Sequence, residues 1–241
     1  MSVTSRYRQA WEGFWREAPE EPQAVFWDAE PRLTAGVHVP LFEPHLTDPR
    51  LPLLDLGCGN GTQTRFLAER FPHVLGADIA AAAIEHARRA DPAGQATYRV
   101  LDATDKGEAE TLHAELGDAN VYMRGVLHQC EPDDRQSLAD ALATLTGDRG
   151  RVFLVELAEA AGPILGGLAR SSAGASSKLA PVLRHGIAPG EVADAAVPRL
   201  LSAAGLTVLA KGELPLTTTE SAPGGGRLRL PSNWLVAGRA R

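Results

Sequence analysis

From Leu51 onward, short apolar runs alternate with stretches whose apolar residues recur every three to four positions. Strands interleaved with helices in this way predict an α/β fold, a parallel sheet with helices on both faces. Leu51–Leu56 is almost continuously apolar, as a strand buried on both faces must be. A glycine-rich turn follows, then a predicted helix over Thr62–Phe71. His73–Asp78 predicts the second strand and Ala80–Ala90 its helix. Thr97–Leu101, Ala119–Met123 and Gly150–Glu156 predict strands three to five, with helices over Lys106–Leu116 and Pro132–Thr146 between them.

After Glu156 the pattern breaks. Gly162–Gly190 holds six glycines together with Pro163, Pro181 and Pro189, and predicts a covering loop with short helical pieces at Ile164–Ala169 and Lys178–Leu183. Amphipathic helix resumes over Glu191–Ala204 and ends at Gly205 in the C′ position. Leu206–Glu213 and Asn233–Gly238 then predict two strands joined by a long connection that includes the Gly-rich Ala222–Gly226, which suits an antiparallel hairpin at the sheet edge. The expected organisation is a helical lid or substrate segment over 1–50 and the main α/β domain over 51–241, with a substrate-covering insertion at 157–190.

The first 50 residues differ in kind, for they hold seven of the 13 aromatic residues. Tyr7, Trp11, Phe14, Trp15 and Ala18 fall on one face of a helix, and Arg6, Gln9, Glu12 and Arg16 on the other. Such a stripe either docks the helix on the core or, with Trp27, also covers a ligand as a lid. The two roles are compatible.

Length and composition narrow the functions. At 241 residues the chain can bury a sizeable core without disulfides or metals. The net charge is -6, and 21 scattered arginines with only three lysines form no stripe for a phosphate backbone, so nucleic acid is not an expected partner. No apolar run approaches ~20 residues, so no membrane span is expected. The segment MSVTSRYRQAWEGFW carries charges and tryptophans where a signal peptide needs an apolar stretch. With two cysteines 72 positions apart, neither a disulfide framework nor a paired metal motif is expected, and the cytoplasm is the default compartment.

The chemistry concentrates at Leu53–Thr64, LLDLGCGNGTQT. A buried strand ends in Asp55-Leu56, and Gly57, Gly59 and Gly61 turn the chain into a helix. Glycines there permit positive φ and let backbone lie against a ligand. A dinucleotide site would space them G-x-G-x-x-G under a pyrophosphate, which disfavours a nicotinamide oxidoreductase. Here they are spaced G-x-G-x-G behind Asp55, whose carboxylate suits a ligand with an ammonium or sulfonium. Asp78 ends the second strand, 19 residues after Gly59, where a carboxylate can accept both hydroxyls of a ribose. Asp102 ends the third, where it can accept from an exocyclic amine. All three acids belong at the carboxyl edge of the sheet, where open α/β sheets bind ligands.

Over Leu51–Glu156, the final helix and the hairpin, the chain resembles the class I S-adenosylmethionine-dependent methyltransferases. DLGCGNG resembles that family's first motif, GADIA its second and RVLDATD its third. The resemblance implies a Rossmann-like, doubly wound, mostly parallel seven-stranded sheet and S-adenosyl-L-methionine as cofactor. It implies Gly57, Cys58 and Gly59 under the methionine portion, Asp78 on the ribose, Ile79 on the adenine, and Asp102 with Ala103 at the adenine amine. VYMRGVLHQCEPDD resembles the small-molecule branch, in which the backbone near Arg124 and Gly125 contacts the methionine ammonium. The nucleic-acid amino-methyltransferases carry an Asn/Asp-Pro-Pro-Tyr/Phe stretch where this chain has Arg124-Gly125-Val126-Leu127, which disfavours that branch. Metal-dependent catechol-type enzymes carry Mg²⁺-binding aspartates there, so no metal is expected.

Methyl transfer needs alignment of acceptor and methyl, and a hydroxyl acceptor must also lose a proton. His128, just past the fourth strand, is the candidate base; its alternative is a structural hydrogen bond in that loop. His38 and His45 precede the first strand and are further candidates. Glu156, at the end of strand five, either orients an acceptor or serves as a cap for the next segment. The aromatic N-terminus could box a sulfonium, since cations favour ring faces. The expected function is methyl transfer to an O, N, S or C atom of a small molecule, in specialised metabolism. The alternative is a fold relative that binds the cofactor without transferring methyl, as a pericyclase-like catalyst or binding module.

Overall fold

The computed structural model describes residues 3–170, 178–187, 190–222 and 224–240, with side chains from Tyr7 onward. In chain order the elements are α1 (Val3–Glu17), α2 (Ala35–Phe42), β1 (Leu53–Leu56), α3 (Thr62–Ala68), β2 (Val74–Asp78) and α4 (Ala81–Ala90). There follow β3 (Thr97–Val100), α5 (Lys106–Leu116), β4 (Asn120–Arg124), α6 (Arg135–Thr146), β5 (Val152–Leu157), α7 (Ala161–Ala169) and α8 (Leu179–Arg184). The last are α9 (Ala196–Ala203), β6 (Thr207–Glu213), β7 (Leu216–Ser221), β8 (Arg227–Leu230) and β9 (Ser232–Gly238).

Seven strands form one sheet in the order β3-β2-β1-β4-β5-β9-β6. All neighbours from β3 to β5 are parallel, and β9 runs antiparallel between β5 and β6. Burial follows position: β1 and β2 are buried along their whole length, whereas edge strand β6 alternates exposed and half-buried residues. One face packs Leu54, Leu56, Met123 and Leu154 under α5, α6 and α9. The other packs Leu53, Tyr122, Phe153 and Val155 against Phe42, Val39 and Leu67 of α2 and α3. At ~25 cal/mol per Å², side chains this fully withdrawn from water supply the main stabilisation of the sheet.

A third apolar cluster lies beyond the carboxyl ends of the strands. Phe14 and Trp15 of α1, with Val25 and Phe26, pack on Ala80, Ala82 and Ala83 of the β2–α4 corner and on Leu179 and Val182 of α8. Leu228 and Leu230 of β8 complete it. The rings meet mostly edge to face, as Trp11 does on Trp27 with centroids 5.3 Å apart, the arrangement the ring quadrupole favours.

The structure differs from the sequence pattern in two places. The connection between β6 and β9 is itself a two-stranded antiparallel sheet, β7 with β8, whose Thr219 receives the Phe26 side of the N-terminal segment through Thr219 N–H to the Phe26 carbonyl at 2.8 Å. The helix expected from Glu191 starts only at Ala196; ahead of it Asp194 and Glu159 each donate a backbone N–H to the other's side-chain carboxylate at 3.0 Å. The short pieces of the 157–190 insertion are helices α7 and α8, and its residues 171–177, 188 and 189 lie outside the described residues.

Candidate active site

The turn after β1 forms the floor of a long cleft. Gly57 and Gly59 have φ of +76° and +55°, a region where a side chain is strained. Space forbids one as well: a Cβ on Gly57 would lie 2.4 Å from Val126 and one on Gly59 2.8 Å from the Trp15 ring. The turn is fixed from β2. Gly57 and Cys58 donate to the Ala77 carbonyl, and Gly59 N–H donates to Asp78 at 2.9 Å. The second Asp78 oxygen accepts from Ala80 N–H at 3.0 Å at the start of α4, and burial raises its pKa. Cys58 is buried beneath the turn, and burial first and the neighbouring carboxylates second push its thiol pKa up, which makes it a space-filling residue.

Asp102 lines the cleft one strand further on. One of its oxygens accepts from Thr104 N–H and Oγ1 at 3.0 and 2.6 Å; the other accepts from Arg8 of α1 at 2.6 Å. Sequence reasoning missed Arg8, because its partner stands 94 positions away. Glu12 of α1 likewise turns inward, accepting from Ala82 N–H at 3.0 Å at the first turn of α4. Helix α1 is therefore tied to the sheet edge by two charged residues and by Trp15. Tyr7, Trp11, Trp15 and Trp27 all line the cleft.

At the end of β4 the backbone turns at Gly125, with φ of +69°, into a short 3-10 helix, Leu127–Gln129. Glu156, 2% exposed at the end of β5, holds that turn. Its carboxylate accepts from Val126 and Leu127 N–H at 2.9 and 2.8 Å, more distantly from His128 N–H, and from the His128 ring Nδ1 at 2.7 Å. An ionised carboxylate can only accept, so the ring donates to it through Nδ1. His128 lines the cleft and Glu156 does not. Within the protein, Glu156 caps the 3-10 helix and bonds the histidine ring.

Three other sequence candidates are not in the cleft lining. Asp55, expected beside a cationic ligand, is buried under the turn and accepts from Thr64 Oγ1 at 2.6 Å. Burial pushes its pKa up to about 6, against the pull of Thr64 and Arg124. His38 lies on the α2 side of the sheet with Nδ1 2.8 Å from the Tyr122 hydroxyl, and burial, helped by Arg124, lowers its pKa to about 3. A buried neutral histidine bonded to a phenol is a core group. His45 sits in the 3-10 turn Glu43–His45, also away from the cleft.

The cleft has two halves. Around the glycine turn lie Asp78, Ile79, Leu101, Asp102, Ala103 and Val126; the other half is walled by Phe26, Trp27, Leu157, Leu165 of α7, Leu179 and Val182 of α8, and Leu216 and Leu230 of the β7–β8 sheet. Glycine backbone without room for a Cβ, several carboxylates and an apolar slot fit a ligand with a cationic sulfur, a ribose and a flat base.

A family model described as a methyltransferase domain matches residues 53–150. A crystal structure of an S-adenosylmethionine-dependent methyltransferase from Anabaena variabilis has a TM-score of 0.89 to this chain at 32% identity, covering 97% of this chain and 95% of that one. The chain belongs to the class I S-adenosylmethionine-dependent methyltransferases. S-adenosylmethionine is accordingly the cofactor of this methyltransferase. Magnesium protoporphyrin IX methyltransferase from Synechocystis, crystallised with bound S-adenosylmethionine, shares the fold at 17% identity and a TM-score of 0.63, covering 100% and 98% of the two chains. So does a protein solved in work on conversion of a disulfide bond into a thioacetal group during echinomycin biosynthesis, at 20% identity and a TM-score of 0.68, covering 96% and 92%. No functionally curated protein matches the methyltransferase in sequence. Among its described residues no helix is long and apolar enough to cross a membrane.

Proposed function

We propose that this methyltransferase acts on a hydroxyl of a small molecule in specialised metabolism, with His128 as general base. The observation that carries the reading is the buried Glu156–His128 pair at 2.7 Å, on a histidine that lines the cleft. The cofactor, when bound, supplies a methyl group already activated by a sulfonium. The backbone of Gly57, Cys58 and Gly59 and of Arg124 and Gly125 would hold its methionyl end, Asp78 its ribose, and Ile79, Asp102 and Ala103 its adenine. Asp78 already uses both oxygens on backbone N–H groups, so the ribose hydroxyls would bond its remaining lone pairs.

His128 Nε2 would take the acceptor's hydroxyl proton as the oxygen attacks. Glu156 would stabilise the imidazolium that results and keep the ring from turning. The described parts of the N-terminal segment, α7 and α8 would form the cover that excludes water and selects the acceptor by its apolar surface.

The test is turnover of a hydroxyl acceptor, found by screening with labelled cofactor. His128→Ala should lower turnover by ~10²–10⁴, the usual scale of general acid–base catalysis, with S-adenosylhomocysteine affinity unchanged. A loss under threefold, with thermal stability reduced instead, would assign the histidine a purely structural role.

A further inference from the structure

Arg124 is the one basic side chain, lysine or arginine, among the described residues that line the cleft, which also presents Asp28, Asp78, Asp102, Glu131 and Asp134. None of these acids is free within the protein: Asn60 bonds Asp28, Gly59 and Ala80 bond Asp78, Arg8 and Thr104 bond Asp102, and Glu131 and Asp134 have partners as well. Arg124 forms no ion pair within 4.0 Å with a described residue. Its buried neighbours on the sheet face are His38, which is neutral above about pH 3, Tyr122, and Asp55, which is engaged by Thr64. Asp55 feels the guanidinium across more than ion-pair distance, which leaves the guanidinium's N–H donors without a carboxylate partner in contact among the described residues, and a planar, forked donor is suited to a carboxylate.

The register says which half of the cleft it serves. Arg124 pairs with Val155 across β4 and β5, so the two side chains leave the same face of the sheet as Tyr122 and Phe153. The next residue on that face of β5 is Leu157, which lines the acceptor half. Leu216, another acceptor-half residue, packs in the same face cluster. The adenine side, Leu101, Ala103 and Val126, belongs to the cluster on the opposite face.

We propose that Arg124 is a specificity-determining residue of the acceptor subsite, and that the acceptor is a largely apolar molecule bearing a carboxylate. The carboxylate would lie on Arg124 with the apolar body between α7, α8 and the β7–β8 sheet. This rests on the small-molecule reading above. His128, four residues on, would then face a hydroxyl elsewhere on the same molecule, so one end of β4 would both anchor and deprotonate it.

The test uses the full chain loaded with S-adenosylhomocysteine and calorimetry with 2-naphthoate and decanoate, each beside its amide. At least one acid should bind tenfold or more tightly than its amide. Arg124→Gln should erase that preference, and Arg124→Lys should restore part of it. Two results would overturn the proposal. One is equal binding of acids and amides by the wild type. The other is a tenfold loss of S-adenosylhomocysteine affinity in Arg124→Gln with 5′-methylthioadenosine affinity unchanged, which would place the cofactor's own carboxylate on the arginine. Methylation of neutral hydroxyl compounds with no preference for acids would likewise overturn it while leaving the small-molecule reading intact.

Discussion

Around the glycine turn the cleft is built from backbone and carboxylates held by hydrogen bonds, Asp78 by Gly59 and Ala80 and Asp102 by Thr104 and Arg8. Its other half is built from apolar side chains on α7, α8, the β7–β8 sheet and the N-terminal segment, brought together from opposite ends of the chain. Under the proposed function the first half would hold a ligand whose charges are fixed, which takes few residues in rigid places. The second would select by shape, which takes surface from many elements. Two histidines near the same strand end repeat the contrast. His128 has a carboxylate on Nδ1 and lines the cleft; His38 has a phenol on Nδ1 and lies in the core.

That contrast can be broken at the glycine turn, where the expected effect is largest. Gly59→Val puts a β-branched residue at φ +55° with its Cβ against Trp15, and should abolish S-adenosylhomocysteine binding while circular dichroism still reports a folded chain. Normal binding by that variant would mean that the turn does not cradle the cofactor.

Trp15 joins the two halves, since it is 2% exposed and rests on both Gly59 and the third apolar cluster. Trp15→Ala should cost ~3–5 kcal/mol in denaturant unfolding, the range for removing a buried aromatic ring. A loss below 1 kcal/mol would show that the N-terminal segment only rests on the domain.

Removing the Asp78 carboxylate should cost ~1.5–3 kcal/mol of cofactor affinity, one to two decades in dissociation constant, since a charged hydrogen-bond partner is lost. An unchanged constant for Asp78→Ala by calorimetry would remove Asp78 from the cofactor half.

The smallest effect sharpens the pair of histidines. His38 has a folded pKa of about 3 against an ordinary 6.5, so the unfolded chain binds a proton that the folded chain refuses. Stability from this residue is therefore present above about pH 6.5 and is lost as pH falls toward 3. Wild type should lose about 2 kcal/mol relative to His38→Asn between pH 7 and pH 5, at 1.36 kcal/mol per pH unit below the unfolded pKa. Asp55, with its pKa raised to about 6, has the opposite sign in this window and cancels between the two proteins. A flat difference in chemical denaturation across that range would mean that His38 is solvated.

Local pattern alone specified much of the molecule. The strand over Leu53–Leu56, the glycine turn and the following helix could be read because buried strands are continuously apolar and tight turns need glycine. Asp78 and Asp102 could be placed at strand ends because the two-residue period of a strand and the length of an apolar run fix where a strand stops. Even the aromatic face of α1 followed from its helical spacing.

Side-chain partnership could not be read in the same way. The hydrogen bonds that distinguish His128 from His38 span 28 and 84 positions, and the Arg8–Asp102 ion pair spans 94. Periodicity says which face of an element is buried but not which polar group waits there. That choice fell to the order in which the strands pair, which sets β5 beside β4 and so brings Glu156 to His128. The β7–β8 sheet was hidden for a related reason: its Thr-rich strands are held by the N-terminal segment and not by their own pattern, as Thr219 shows in bonding to Val25 and Phe26 carbonyls nearly two hundred positions earlier. The chemistry of the cofactor half was thus written in neighbouring residues, whereas the acceptor half exists only once distant segments pack, because shape in an apolar pocket is a property of the packing and not of any one stretch of chain.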